Sequence, residues 1–296
     1  MNKISYYPGC TLSNTAKNFD LSARESMKAL GWELEELPRW NCCGTVYSLA
    51  SDNLINHVAP IRLLIHTQEL GRDKLTTLCS MCYHTLKMSN LMVQQDKDKL
   101  EKINFFIKDK DAEYKGKVEV LHLLEIIKND IGFDKIKEKT SKPLKGLKLA
   151  PYYGCLLTRP KAAAIDDVEM PTIMSDFINS LGAQAVYDPC LTECCGSYHT
   201  VMDQEVVADK AERIISSAIK NGAEAIITSC PLCFFNLDER QKNIQEKTGK
   251  TYDLPILYFT QLLALGLGLG AEVCKFDLHH IDPRPLLRAK KILEEE

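Results

Sequence analysis

Apolar and polar residues along this chain fall into short blocks of two alternating kinds. Residues 4–7 form a brief apolar run, and residues 20–30 place Leu21, Met27 and Leu30 at helical spacing before Gly31. Residues 33–37 predict a second strand, followed by a loop carrying Cys42 and Cys43 and a helix from about residue 52 to 69. A third strand is expected at 75–78, then a helix and a charged helical stretch reaching about residue 110. Residues 118–121, with the stripe Leu123, Ile126 and Ile127, complete a last strand and helix. The same order returns at 147–152, 173–181, 185–187, 205–220, 225–227, 232–243, around Leu257 and at 262–267. Alternation of this kind predicts an α/β fold in which a small, mainly parallel sheet flanked by helices occurs twice in tandem.

The cysteines repeat with the same period. Tyr6-Tyr7-Pro8-Gly9-Cys10 is answered by Tyr152-Tyr153-Gly154-Cys155. Asn41-Cys42-Cys43-Gly44 is answered by Glu193-Cys194-Cys195-Gly196, and Cys79-Ser80-Met81-Cys82 by Cys230-Pro231-Leu232-Cys233. The single cysteine and the pair are separated by 31 residues in the first copy and 38 in the second. Ten of twelve cysteines therefore fall into two matching sets of five. The copies meet in a stretch at 135–148 with six lysines, Pro143 and Gly146, which reads as a solvated linker. On the predicted elements each single cysteine follows a first strand, each pair follows a second, and each C-x-x-C follows a third. All five gather at the carboxyl ends of the strands, where open α/β sheets hold their ligands.

Composition narrows the chemistry. A chain of 296 residues that is 45% hydrophobic can bury two cores, so it does not need a disulfide framework to fold. No basic start backed by an apolar run suggests a secretory leader, so a cytoplasmic location is expected. The longest apolar stretch, 257–270, is too short to span a bilayer, so no transmembrane segment is expected. A net charge of −3 supplies no general reason to expect nucleic acid as a partner. In a reducing compartment, thiols at this density point to metal ligands or redox groups. A C-x-x-C at a helix start favours thiolate, because unpaired N–H groups and the helix dipole face the sulfur. Zinc takes four ligands and leaves one cysteine over in each copy; a dithiol redox site takes two and leaves three. An iron–sulfur cluster draws thiolates in number from along a chain.

The pattern C-x31-C-C-G-x34-C-x-x-C followed by C-x38-C-C-G-x33-C-x-x-C resembles the twin cysteine-rich CCG domains of the heterodisulfide reductase B-subunit family, over essentially the whole chain. The resemblance implies two tandem CCG domains, at residues 1–145 and at 146–296 with a C-terminal tail, each holding a non-cubane 4Fe-4S cluster. Carried over by position, Cys10, Cys42, Cys43, Cys79 and Cys82 would hold the first cluster, and Cys155, Cys194, Cys195, Cys230 and Cys233 the second. It further implies a catalytic iron–sulfur subunit that works with two partners, a flavin-bearing A-subunit plus a small C-subunit with cubane 4Fe-4S clusters. The implied substrate is a small-molecule disulfide, in methanogens that of coenzyme M and coenzyme B. The chain lacks the ferredoxin-type cysteine run of related fused proteins, which favours a separate B-subunit. It also lacks the glycine-rich stretch after the second CCG, having Ser197-Tyr198-His199 there. That departure touches the coenzyme M–coenzyme B substrate more than the clusters. The alternative is an electron-transfer subunit of a bifurcating or quinone-linked complex with a non-disulfide acceptor. On the leading reading, the disulfide lies between two crevices related by a pseudo-twofold axis.

Lesser candidates surround these motifs. His84 and His199 lie just beyond ligand cysteines and are candidate proton donors, with capping or packing roles as the plainer reading. Arg159 could meet an anionic substrate group or simply compensate surface charge. Cys190 reads as a buried non-ligand, an alternative ligand or a resolving thiol, and Cys274 as a small packed hydrophobe. Trp32 and Trp40 bracket the second strand, and His279-His280 sit in a tail expected to dock on the body or a partner.

Overall fold

The computed structural model describes residues 1–44, 53–108 and 111–294. Its strands are β1 (Asn2–Tyr6), β2 (Trp32–Glu36), β3 (Lys74–Thr77), β4 (Glu119–His122), β5 (Lys148–Tyr152), β6 (Gln184–Ala185), β7 (Ala225–Thr228) and β8 (Ile256–Tyr258). They form two four-stranded sheets, ordered β2-β1-β3-β4 and β6-β5-β7-β8, with every pairing parallel. β7 (Ala-Ile-Ile-Thr) is buried along its whole length, as a parallel strand covered by helices on both faces must be. In each sheet the order reverses between the first and third strands of the half, so a crevice opens at their carboxyl ends.

Several helices differ from the sequence expectation, each for a local reason. The helix expected from about residue 52 is a 3₁₀ turn, Leu54–His57, leading into Val58–Glu69; residue 52 lies outside the described residues. The charged stretch after the first C-x-x-C is two helices, Ser80–Gln95 and Lys97–Ile107. Asp96 breaks it in an extended conformation, and its carboxylate accepts the Lys99 N–H at 3.1 Å. The stretch 232–243 likewise divides into Pro231–Asp238 and Gln241–Thr248. The Lys-rich segment is not simply a solvated linker. Phe133–Lys139 is helical, Ile136, Leu144 and Leu147 are buried, and Lys142 and Leu144 donate backbone hydrogen bonds to Gly266 and Leu181. Its lysines project from a backbone that is pinned to the second half.

The halves share one contiguous apolar core. The Phe19 ring, from the helix Lys17–Ala29, stacks on Tyr258 at 4.1 Å and meets Phe259 edge-on at 5.6 Å. Beside it the Ser22 and Thr260 hydroxyls lie 2.7 Å apart. The helix after the fourth strand of each half starts with the same device: His122 with Glu125, and Tyr258 with Gln261, form reciprocal capping boxes. This packing holds the two crevices in a fixed relation.

Candidate functional site

The strands deliver the cysteines where the sequence pattern placed them. Cys10 is the second residue of the short helix Gly9–Asn14 after β1, and Cys155 lies in the bend after β5. Cys79 and Cys230 are the N-caps of Ser80–Gln95 and Pro231–Asp238, each with extended backbone. In the first half the Cys43 and Cys82 sulfurs are 3.5 Å apart; in the second, Cys195 and Cys233 are 3.4 Å apart. Two thiolates sharing one metal at about 2.3 Å each, at the tetrahedral angle, would stand about 3.8 Å apart, so both pairs are near the spacing that shared coordination needs. Thiol hydrogen bonds and burial push Cys42 and Cys155 upward, whereas Cys194 is pulled down to about 5. The Cys155 thiol is the largest cause of that fall, helped by the Gly196 and Ser197 N–H groups and by Lys210. Cys230 is held well below an ordinary thiol by hydrogen bonds from the Cys233 and Cys79 thiols and from two N–H groups of its own helix.

The two sets touch. The neighbouring Cys230 raises the Cys79 thiol, and the next side chain of the first motif, Ser80, lies 3.0 Å from the Ser229 hydroxyl and donates to the Ser229 carbonyl at 3.3 Å. The C-x-x-C motifs are therefore back to back, in direct contact, and nothing can lie between them at that point.

Comparison with known proteins agrees with this geometry. The cysteine-rich domain named CCG matches residues 4–87 and again 149–238. The chain belongs to the CCG cysteine-rich domain family. Among curated relatives of this CCG chain, the 8-methylmenaquinol:fumarate reductase membrane anchor subunit of Wolinella succinogenes is 32% identical, covering 96% of this chain and 99% of that one. The B-subunit of a ferredoxin/F420H2-dependent CoB-CoM heterodisulfide reductase, from Methanosarcina acetivorans, is 29% identical, covering 92% and 91%. A solved structure, a hypothetical protein from Helicobacter pylori, superposes with a TM-score of 0.75 at 13% identity. It covers 95% of this chain, which spans about half (52%) of that one. That likeness establishes the fold alone.

The signature glycines have a physical reason. Gly44 and Gly196 adopt φ of +75° and +81°, which only glycine takes freely, and this turn aims the N–H back at the first sulfur of the pair. Gly196 N lies 3.4 Å from Cys194 Sγ, and the Gly44 N–H favours the Cys42 thiolate in the same way. A second pair of glycines precedes the single cysteines. A Cβ on Gly9 would meet Cys82 Sγ at 3.1 Å, and one on Gly154 would meet Cys233 Sγ at 3.2 Å.

Sequence reasoning missed two tyrosines. The hydroxyl of Tyr7 donates to the Asn41 carbonyl at 3.0 Å, and that of Tyr152 to the Glu193 carbonyl at 2.7 Å. Each stands three residues before a single cysteine and fastens the residue preceding the Cys-Cys pair. Counting back from the cysteine, rather than forward from the Tyr-Tyr pair, was the available signal. Burial first, and then the surrounding thiols, raise both phenols, so they stay protonated donors. Asn236 adds a buried amide against Cys195 in the second CCG unit, donating to its carbonyl at 3.3 Å.

The units are not equally open. Cys10, Cys42, Cys43, Cys79 and Cys82 face a cavity of about 600 Å³, roofed by Leu232, Phe234, Phe235, Tyr258 and Leu278 of the second half. The space at Cys155, Cys195, Cys230 and Cys233 is about 10 Å³. Among the described residues, more room therefore opens on the first set of thiols than on the second.

The remaining candidates lie off this cavity. His84 is buried, and desolvation keeps its ring below the usual range although a hydrogen bond to the Arg159 backbone acts the other way; its Nδ1 has no partner. His199 is exposed in the turn Ser197–His199. The Arg159 guanidinium is held by Glu169 at 2.9 Å and the Thr192 carbonyl at 3.2 Å. Cys190 is buried near Arg213, and Cys274 is buried with its thiol toward the Gln261 carbonyl.

Proposed function

We propose that this chain is the iron–sulfur subunit of a heterodisulfide reductase-like oxidoreductase, in which two five-cysteine sites in contact serve one two-electron reaction. The contact of the two C-x-x-C motifs, through Ser80 beside Cys79 and Ser229 beside Cys230 at 3.0 Å, is the observation that carries this reading. Cys10, Cys42, Cys43, Cys79 and Cys82 would hold one 4Fe-4S cluster of non-cubane type, and Cys155, Cys194, Cys195, Cys230 and Cys233 a second. Among the described residues no three His, Cys, Asp or Glu side chains converge on a single ion position; the thiols stand in pairs, an arrangement suited to a polynuclear group. Such clusters would supply one-electron steps. Reduction of a disulfide consumes two electrons and two protons and yields two thiols, so paired one-electron sites match its stoichiometry. Electrons would arrive through a flavin-bearing A-subunit together with a cubane-cluster C-subunit, on the cytoplasmic side. No helix among the described residues is long and apolar enough to cross a membrane.

A quinone-linked electron-transfer role is the second reading. It is favoured by the Wolinella relative, which aligns over nearly its full length and whose name places it in a menaquinol:fumarate reductase. Iron and acid-labile sulfide analysis of anaerobically prepared protein, with electron paramagnetic resonance, tests the clusters. Disulfide reduction by a reduced viologen dye then separates the readings. Cys195→Ala should abolish that reduction while preserving the first site's signal; full activity in the variant would refute the two-site mechanism.

A further inference from the structure

Behind the second Cys-Cys pair a buried cation is joined by hydrogen bonds to a ligand cysteine. Arg240, the N-cap of the helix Gln241–Thr248, is 7% exposed. Its Nη1 donates to the Asn243 side-chain oxygen at 3.0 Å and its Nη2 to the Thr200 carbonyl at 3.1 Å, while its Nε is buried without a partner. The carboxylates next to it in the chain are engaged elsewhere. Asp238 accepts the His280 and Ile281 N–H groups, and Glu239 pairs with Lys242 and lies 3.5 Å from His280 Nδ1. A buried charge is retained where an opposite charge compensates it. The route from Arg240 leads to such a charge, the thiolate set of the second site. The Thr200 hydroxyl donates to Asn236 Oδ1 at 3.0 Å, which turns the fully buried Asn236 amide nitrogen toward Cys195, 3.3 Å from its carbonyl oxygen and 3.6 Å from its sulfur.

The first half differs at both positions. By motif position Asn236 corresponds to Thr85 and Arg240 to Ser89, whose hydroxyl lies 2.9 Å from His57 Nδ1. No Lys or Arg is among the described residues lining the first-site cavity, and residues 45–52, outside them, contain none. Toward that cavity Arg240 presents only the face of Phe235, with the guanidinium 5.1 Å from the ring centroid. We propose that Arg240 and Asn236 make the second five-cysteine site the stronger electron acceptor of the two, so that the first electron from a low-potential donor rests there. Positive charge nearby and an N–H on a ligand sulfur both favour the reduced, more negative state of a thiolate-held cluster. The proposal rests on the reading that both sites hold iron–sulfur clusters, and adds which of them accepts first. Arg240 and Asn236 are positioning residues that act through Cys195.

A dye-mediated redox titration of the anaerobically prepared full chain, followed by electron paramagnetic resonance, tests the proposal, with iron and sulfide measured on every sample. Cys82→Ala and Cys195→Ala assign the signals, since each should alter that of its own site. In the unaltered chain the second site should be reduced at the higher potential. Arg240→Met, which keeps the bulk and removes the charge, should weaken electron uptake at the second site by at least about ten-fold, about 59 mV for one electron, and shift the first site less. Arg240→Lys, which restores the charge, should recover most of that shift; a merely structural role would leave the potential unmoved or fail with lysine as with methionine. The proposal is overturned if the first site is reduced at the higher or the same potential, if Arg240→Met titrates as the parent does, or if methionine and lysine give the same shift. The first of these outcomes is read on the parent potentials, so an Arg240 variant that does not assemble still leaves the proposal refutable. Protein that lacks iron and sulfide refutes the proposed function instead, so the two failures are distinct.

Discussion

Replacing Gly9 by alanine isolates how closely the backbone must approach a ligand sulfur. Gly9 has φ of +73°, where an L side chain costs about 1–2 kcal/mol. The new methyl would also stand 3.1 Å from Cys82 Sγ, closer than ordinary contact, so the sulfur must move by a few tenths of an ångström. Gly31 supplies the control, since its φ is +84° and a Cβ there meets nothing within 4 Å. Gly31→Ala should therefore carry the backbone strain alone and lower the melting temperature by about 2–4 °C per kcal/mol without loss of iron. Gly9→Ala should add to the same strain a displaced Cys82 and, with it, selective loss of the first site's iron and its paramagnetic signal, the second site being retained. Thermal melts, iron per chain and electron paramagnetic resonance on matched anaerobic preparations separate the two contributions. Equal iron content in the two variants would refute the reasoning, because the sulfur contact would then have no consequence beyond strain.

Tyr152→Phe removes the hydroxyl that fastens the Glu193 carbonyl, leaving that acceptor without its donor at a cost of about 1–3 kcal/mol. The expected result is faster loss of iron to a chelator, with little change in the far-ultraviolet circular dichroism of the folded chain. Asp238 offers a pH-dependent test. Burial raises its carboxyl to about 6, although the N–H groups of His280 and Ile281 hydrogen-bond to it. The folded chain therefore holds a proton that the unfolded chain releases near its ordinary carboxylate pKa. The contribution of Asp238 to stability should be fully present below about pH 4 and fall by up to about 3 kcal/mol as the pH rises through 6. Urea unfolding of the metal-free parent and Asp238→Asn chains across that range should give a stability difference with this pH dependence.

Much of the architecture was legible because it rests on periodicity and on a duplicated motif. The strand–helix alternation, the parallel sheets and the position of each cysteine at a strand end follow from local pattern and short connections. What escaped lies in tertiary packing. The lysines of 135–148 looked solvated because lysine composition says nothing of the backbone between them, which hydrogen-bonds to Leu181 and Gly266. The contact of the two C-x-x-C motifs through Ser80 and Ser229 could not be read from spacing, since it depends on how Phe19, Tyr258 and Phe259 lock the halves together.

The same limit explains why two equivalent motifs form unequal sites. The second copy has seven more residues between its single cysteine and its pair. Part of that excess packs on the first half: the Ala163 carbonyl accepts the Tyr83 hydroxyl at 3.0 Å, and the Arg159 backbone covers His84. Tyr83 and His84 correspond by motif position to Phe234 and Phe235, which line the open cavity of the first site. The longer loop thus fills on one side the space that stays open on the other. Thiol accessibility in the metal-free chain should follow. Cys10 and Cys42 are exposed, whereas Cys155 and Cys194 are half-buried and Cys195 and Cys230 are buried. A bulky maleimide should label the first pair at least about ten-fold faster than any second-site thiol, because modification of a shielded site requires local opening first. Peptide mapping by mass spectrometry at early times reads the order. Equal rates at Cys10 and Cys155 would mean that the loop does not close the second site in solution, and the asymmetry argued from it would fall.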